Sequence, residues 1–144
     1  MMDESAESRI DALLEEPYWV IDPLPRQVPA GSPGQYFAVE RWLMAEPQRA
    51  EIHRKRANLL LKLSCYRDLC LDGNETNPAP AELAAAIASR YVTLLVDDAL
   101  ITSDPDDMYL TVYHPDEELL DLLRTLAGAE GLFLWQPPQD KESQ

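Results

Sequence analysis

The chain has 144 residues, 46% hydrophobic and 26% charged, and a net charge of −14 from 26 Asp and Glu against 12 Lys and Arg. That length suits one domain able to bury roughly two-thirds of its unfolded surface, and no apolar run approaches the roughly 20 residues a membrane helix needs. So acidic a surface repels nucleic acid and anionic lipid, and it attracts cations or a basic protein.

From the N-terminus, Met1-Met2-Asp3-Glu4-Ser5 lacks the basic start and apolar core of a secretion signal, so the cytoplasm is the expected compartment. Ser8 to Glu16 reads as a short helix on the spacing of Ile10, Leu13 and Leu14, closed by Pro17. Tyr18-Trp19-Val20-Ile21 is aromatic and β-branched, hence a strand. Pro23, Pro25, Pro29 and Pro33 mark an extended connection with few backbone donors. Ser32-Pro33-Gly34-Gln35 has the pattern of a capping box with Pro at the first helical position. It opens a helix to about Glu46, with Tyr36, Phe37, Val39 and Leu43 expected inward. Pro47 breaks that helix and starts another, from Gln48 to about Leu63. Ile52, Leu59, Leu60 and Leu63 line one side, and Arg49, Arg54, Lys55 and Arg56, the basic cluster of the chain, are placed on the exposed side. Cys65 to Leu71 fits helical and alternating templates equally and is read as a strand, ended by Asp72-Gly73-Asn74.

Asn77-Pro78-Ala79-Pro80 is a turn feeding an Ala-rich helix to about Arg90, with Leu83 and Ile87 buried. Tyr91 to Val96 is apolar on both faces, as a central strand should be, and Ala99 to Thr102 is read as its extension. After a polar turn over Ser103 to Asp107, Met108 to Tyr113 alternates Leu110 and Val112 with Tyr109, Thr111 and Tyr113, and is expected to form a hairpin with the strand before it. Pro115 starts the clearest helix, with Asp116, Glu117 and Glu118 in the first turn, where the helix dipole favours anions, and His114 as the expected N-cap. Leu119, Leu122, Leu123 and Leu126 form its stripe and Gly128 ends it. Gly131 to Trp135 is the last strand. Residues 1–136 then make a single domain and 137–144 a flexible polar tail. About five strands and five helices, without a βαβ repeat or a Gly-rich βα turn, describe an α+β fold with a mostly antiparallel or mixed sheet.

The charge is unevenly spread. Residues 68–144 hold 16 Asp and Glu against 3 Lys and Arg, and the nine carboxylates from Asp97 to Asp121 have no basic residue among them. Catalytic residue types are sparse: His53 and His114 are the two histidines, and no P-loop, nucleophile elbow or zinc-spaced Cys/His set occurs. His114 therefore reads as structural and His53 as part of a solvated helix face. Asp97, Asp98, Asp104, Asp106 and Asp107 surround the expected hairpin, but a calcium loop would want a Gly at the sharp turn and a closing Glu, and neither is present. A solvated acidic surface is the favoured reading, with a divalent-cation site as the alternative. Cys65 and Cys70 lack redox or metal spacing and read as reduced, buried thiols. Trp19, Tyr36, Phe37 and Trp135 read as mainly core, whereas Trp42 falls just outside the inward set of its helix. An exposed Trp near Arg is a common interface anchor; the plainer account is a helix phase misjudged by one position.

The segments Pro17-Tyr18-Trp19-Val20-Ile21-Asp22, Gly34-Gln35-Tyr36-Phe37-Ala38-Val39-Glu40, Tyr109-Leu110-Thr111-Val112-Tyr113 and Pro115-Asp116-Glu117-Glu118-Leu119-Leu120 resemble a family of small acidic hypothetical proteins of gut-type anaerobic bacteria. The resemblance covers most of the chain and implies a bacterial cytoplasmic setting. It implies no activity, cofactor or site residue.

These readings converge on a non-catalytic acidic protein of the immunity, antitoxin or inhibitor kind. Its partner is a basic protein, with no nucleic acid, membrane, metal or cofactor. Asp97, Asp98, Asp104, Asp106, Asp107 and Trp42 are the candidate contacts. The alternatives are a domain binding a small molecule or divalent cation through 97–107, and a homo-oligomer pairing the basic helix of one copy with the acidic half of another.

Overall fold

The structure, a computed structural model, describes residues 4–138. Of the expected polar tail, residues 139–144 lie outside that range. Seven strands form one sheet: β1 (Tyr18–Asp22), β2 (Cys70–Leu71), β3 (Glu75–Thr76), β4 (Val92–Val96), β5 (Ala99–Ser103), β6 (Leu110–Tyr113) and β7 (Phe133–Trp135). Their order is β3-β2-β4-β5-β6-β1-β7 and each neighbouring pair is antiparallel. Five helices accompany it: α1 (Glu4–Leu13), α2 (Tyr36–Leu43), α3 (Gln48–Leu63), α4 (Pro80–Ser89) and α5 (Glu117–Ala129). The expected α+β class holds, but the strands number seven rather than five.

The two extra strands have separate causes. Ala99 to Thr102 does not extend its predecessor; it turns back as β5, with Val96 opposite Ala99. The chain reverses through Asp97 and Asp98, and Asp97 takes the left-handed conformation that Asp tolerates better than most residues. β6 then pairs with β5, so the expected hairpin of 91–96 with 108–113 is a three-strand meander. The other extra strand lies in a two-residue hairpin, β2–β3, too short to show periodicity. Only Cys70 and Leu71 of the expected 65–71 strand pair, because Cys65 to Arg67 still bond to Lys62 and Leu63 carbonyls at the end of α3.

Strand alternation sorts the core into two faces. Ile21, Leu71, Leu94, Ile101, Leu110 and Val112 share one face and pack with Leu59, Leu60 and Leu63 of α3, Leu83 and Ile87 of α4, and Leu119 and Leu123 of α5. Each fully buried Leu or Ile contributes roughly 1.5–3 kcal/mol. On the opposite face Ile10 and Leu13 of α1 cover Leu95 and Leu100. α1 begins and ends earlier than expected, and Leu14 is exposed.

Two helix starts differ from expectation. α2 begins at Tyr36, and Gln35, not Ser32, sits at the N-cap without a side-chain bond. Gly34 has φ near +92°, so the chain cannot run helically through the Ser32 capping box. α2 also ends by Leu43 and buries no residue; Phe37 and Val39 are exposed rather than inward. α5 is capped by Asp116, whose carboxylate accepts from the Leu119 amide at 2.8 Å. His114 instead takes a left-handed turn conformation two residues earlier.

Candidate functional site

Of the basic residues of α3, Arg49 and Arg56 face the chain's own acidic turn, whereas Arg54 is exposed as expected and pairs with Glu51 of the same helix. Arg56, expected on the exposed side, is 2% exposed. Its guanidinium donates to the Asp104 carbonyl at 2.6 Å and to the Asp107 carbonyl. Burial lowers its pKa to about 10, against the opposing pull of Asp107 and Asp104, so it remains a cation at neutral pH. Arg49 donates to the Pro105 carbonyl at 2.8 Å and to the Asp106 carboxylate at 2.9 Å. His53 Nε2 also lies 2.9 Å from the Pro105 carbonyl. A carbonyl only accepts, so Nε2 carries the proton. The signal was present in the sequence: Arg49, His53, Arg56, Leu60 and Leu63 follow i, i+4, i+7, i+11 and i+14, one stripe of a helix. Reading charge as exposure hid it.

The expected acidic cluster divides in two. Asp104, Asp106 and Asp107 belong to the turn that α3 clamps. Asp97 and Asp98 form the turn at the other end of β5, roughly 17 Å away for five strand residues. One cation cannot bridge them, and among the described residues no group of three or more His, Cys, Asp or Glu side chains could hold a metal ion. Arg67 pairs with Asp97 and reaches Glu118 at 3.5 Å. Arg9 donates to the Asp97 carbonyl and lies 3.9 Å from Asp98, whose side chain is 98% exposed.

Around α2 the structure assembles residues that sequence reasoning passed over. Asp22 at the end of β1 is 1% exposed, and its carboxylate accepts the Leu24 amide at 2.9 Å. Burial pushes its pKa up to about 6, the Leu24 hydrogen bond opposes the rise, and nearby Glu40 adds to it. Burial, with Glu40 and Asp22 close by, raises Tyr36 to about 12. Asp107 is raised by burial and by Asp104, with Arg56 opposing, and Tyr109 by burial and by Asp107. The available clue was strand alternation: Asp22 is in phase with Tyr18 and Val20, on the face where Val20 is buried.

A cleft of about 260 Å³ separates α2 from residues 106–109. Glu40, Arg41 and Met44 form one wall, and Asp106, Asp107, Met108 and Tyr109 the other. Trp42, placed just outside the inward set of its helix, is 58% exposed. At 100° per residue, however, it projects from the opposite flank of the helix to Glu40 and Met44 and does not join this cleft. A carboxyl that titrates near 6 suits acid–base chemistry, but Asp22 is not part of the cleft lining. Both thiols are free; Cys65 is exposed rather than buried as expected, and Cys70 is half-buried.

Compared with protein-family models, with curated proteins and with solved structures, the chain matches none. No helix among the described residues is long and apolar enough to cross a membrane. The protein is thus defined by its α+β antiparallel sheet and by the acidic cleft and turns on it.

Proposed function

We propose that the protein is a non-catalytic interaction protein, of the immunity, antitoxin or inhibitor kind, whose acidic surface captures a basic protein partner. The observation that carries this reading is the fate of the chain's own cations. Among the described residues seven Arg and Lys side chains pair with carboxylates, and Arg56 is buried on backbone carbonyls. The net charge is still −14, so the surface holds anionic charge that its own cations do not neutralise. Such a field speeds encounter with a cationic surface and penalises anionic ones.

Self-association through the basic helix is less favoured, because Arg49 and Arg56 are already committed to the 104–107 turn. A divalent-cation site across 97–107 is disfavoured by the separation of its carboxylates. Affinity capture from cells that encode the protein, at low and high ionic strength, tests the proposal. The expected catch is a basic protein whose association slows steeply with salt. Recovery of no basic protein at either ionic strength overturns it.

A further inference from the structure

The cleft between α2 and residues 106–109 has two kinds of lining. Met44, Met108 and Tyr109 offer apolar, polarisable surface, while Glu40, Asp106 and Asp107 supply carboxylates. A lysine or arginine side chain uses both at once, because its methylene stem gains from apolar contact while its head stays among anions and water. Thioethers adapt to the shape of such a stem, and the face of a tyrosine attracts the cation. At about 260 Å³ the cleft falls below the roughly 300–1,000 Å³ usual for small-molecule sites, and it is the right scale for one side chain.

The electrostatics point the same way. Within the lining, Asp107 and Tyr109 are shifted in the sense that resists further negative charge, by burial first and by neighbouring carboxylates second. Arg56 is held by the carbonyls of Asp104 and Asp107, whereas Arg49 pairs with Asp106 itself, which leaves Glu40 and Asp107 as the lining carboxylates without an ion pair among the described residues. Arg41 lines the cleft without an ion pair among the described residues, so it competes with any incoming cation.

We propose that this cleft receives a lysine or arginine side chain of a basic protein partner, with Glu40 and Asp107 as its anionic rim, the Arg49-paired Asp106 beside them, and Met44, Met108 and Tyr109 as the bed for the stem. The proposal rests on the reading of the protein as an acidic interaction module and adds the place where the partner is gripped. Asp97 and Asp98, at the far end of β5, then add long-range attraction without contact.

Two of the four methionines line the cleft, and the other two are Met1 and Met2. Methionine-methyl NMR therefore reads the site directly. The probes are oligo-lysine and oligo-diaminobutyrate peptides of equal length, which carry the same charge on long and short stems. With oligo-lysine at low ionic strength the Met44 and Met108 methyl signals should shift saturably, and the short-stemmed peptide should bind about fivefold more weakly. The pair Glu40→Gln and Asp107→Asn should weaken oligo-lysine binding about tenfold, Arg41→Ala should tighten it, and Asp97→Asn with Asp98→Asn should change it less than about twofold. If Glu40→Gln perturbs folding, Asp106→Asn serves in its place, with the thermal midpoint as control. If oligo-lysine binds while both methyl signals stay still, the cleft proposal falls and the acidic-interaction reading survives. If neither peptide binds at low ionic strength, both fall.

Discussion

Replacing Asp22 by Asn should stabilise the protein at neutral pH and leave it nearly unchanged in acid. The side chain is 1% exposed, and its pKa is raised from 3.8 to about 6. Between those values the folded chain holds a proton that the unfolded chain has released, so stability falls as pH rises through the window and stays low above it. At 1.36 kcal/mol per unit, the full shift amounts to about 3 kcal/mol at neutral pH. Asn keeps an oxygen to accept the Leu24 amide, but its own amide needs an acceptor, so the expected net gain is about 1–3 kcal/mol. Urea unfolding of both proteins at about pH 4 and about pH 8 reads the effect, and the other carboxylates cancel in the difference. A gain that is the same at both pH values, or a loss at the higher one, would refute the reasoning. Asp22 would then be hydrated, or matched by a cation, when ionised.

Arg56→Met removes donors from the Asp104 and Asp107 carbonyls and should cost about 2–4 kcal/mol, measured by the denaturant midpoint. Asp107→Asn should stabilise by less than about 1 kcal/mol, since its ionised form is disfavoured by burial and by Asp104 but is well screened by solvent. Asp106→Asn, by contrast, removes an exposed pair with Arg49 and should move stability by no more than about 0.5 kcal/mol in thermal melts. Asp116→Ala deletes the cap of α5 and should cost about 0.5–2 kcal/mol, whereas His114→Ala should spare that helix in circular dichroism melts. Excess chelator should leave the thermal midpoint unchanged; a fall would mean that a bound metal supports the fold.

Where periodicity is long, the sequence alone determined the element. The stripes of α3 and α5 bury Leu59, Leu60, Leu63, Leu119 and Leu123 as their spacing requires, and β4 is buried on both faces as its mainly apolar run implies. Those patterns depend on local geometry, which repeats every 3.6 or 2 residues whatever else the chain does. Short elements such as β2 and β3 carry too few residues to show a period, and the Asp97 reversal depends on one backbone conformation. The charged residues were settled only by tertiary structure. Arg49 and Arg56 turn inward because the 104–107 turn, about 50 residues later, offers carbonyls and carboxylates to their side chains. Asp22 is buried at the end of a strand flanked on both sides by β6 and β7. Whether an ionic side chain faces water or protein depends on partners distant in sequence, and a local pattern carries no record of them.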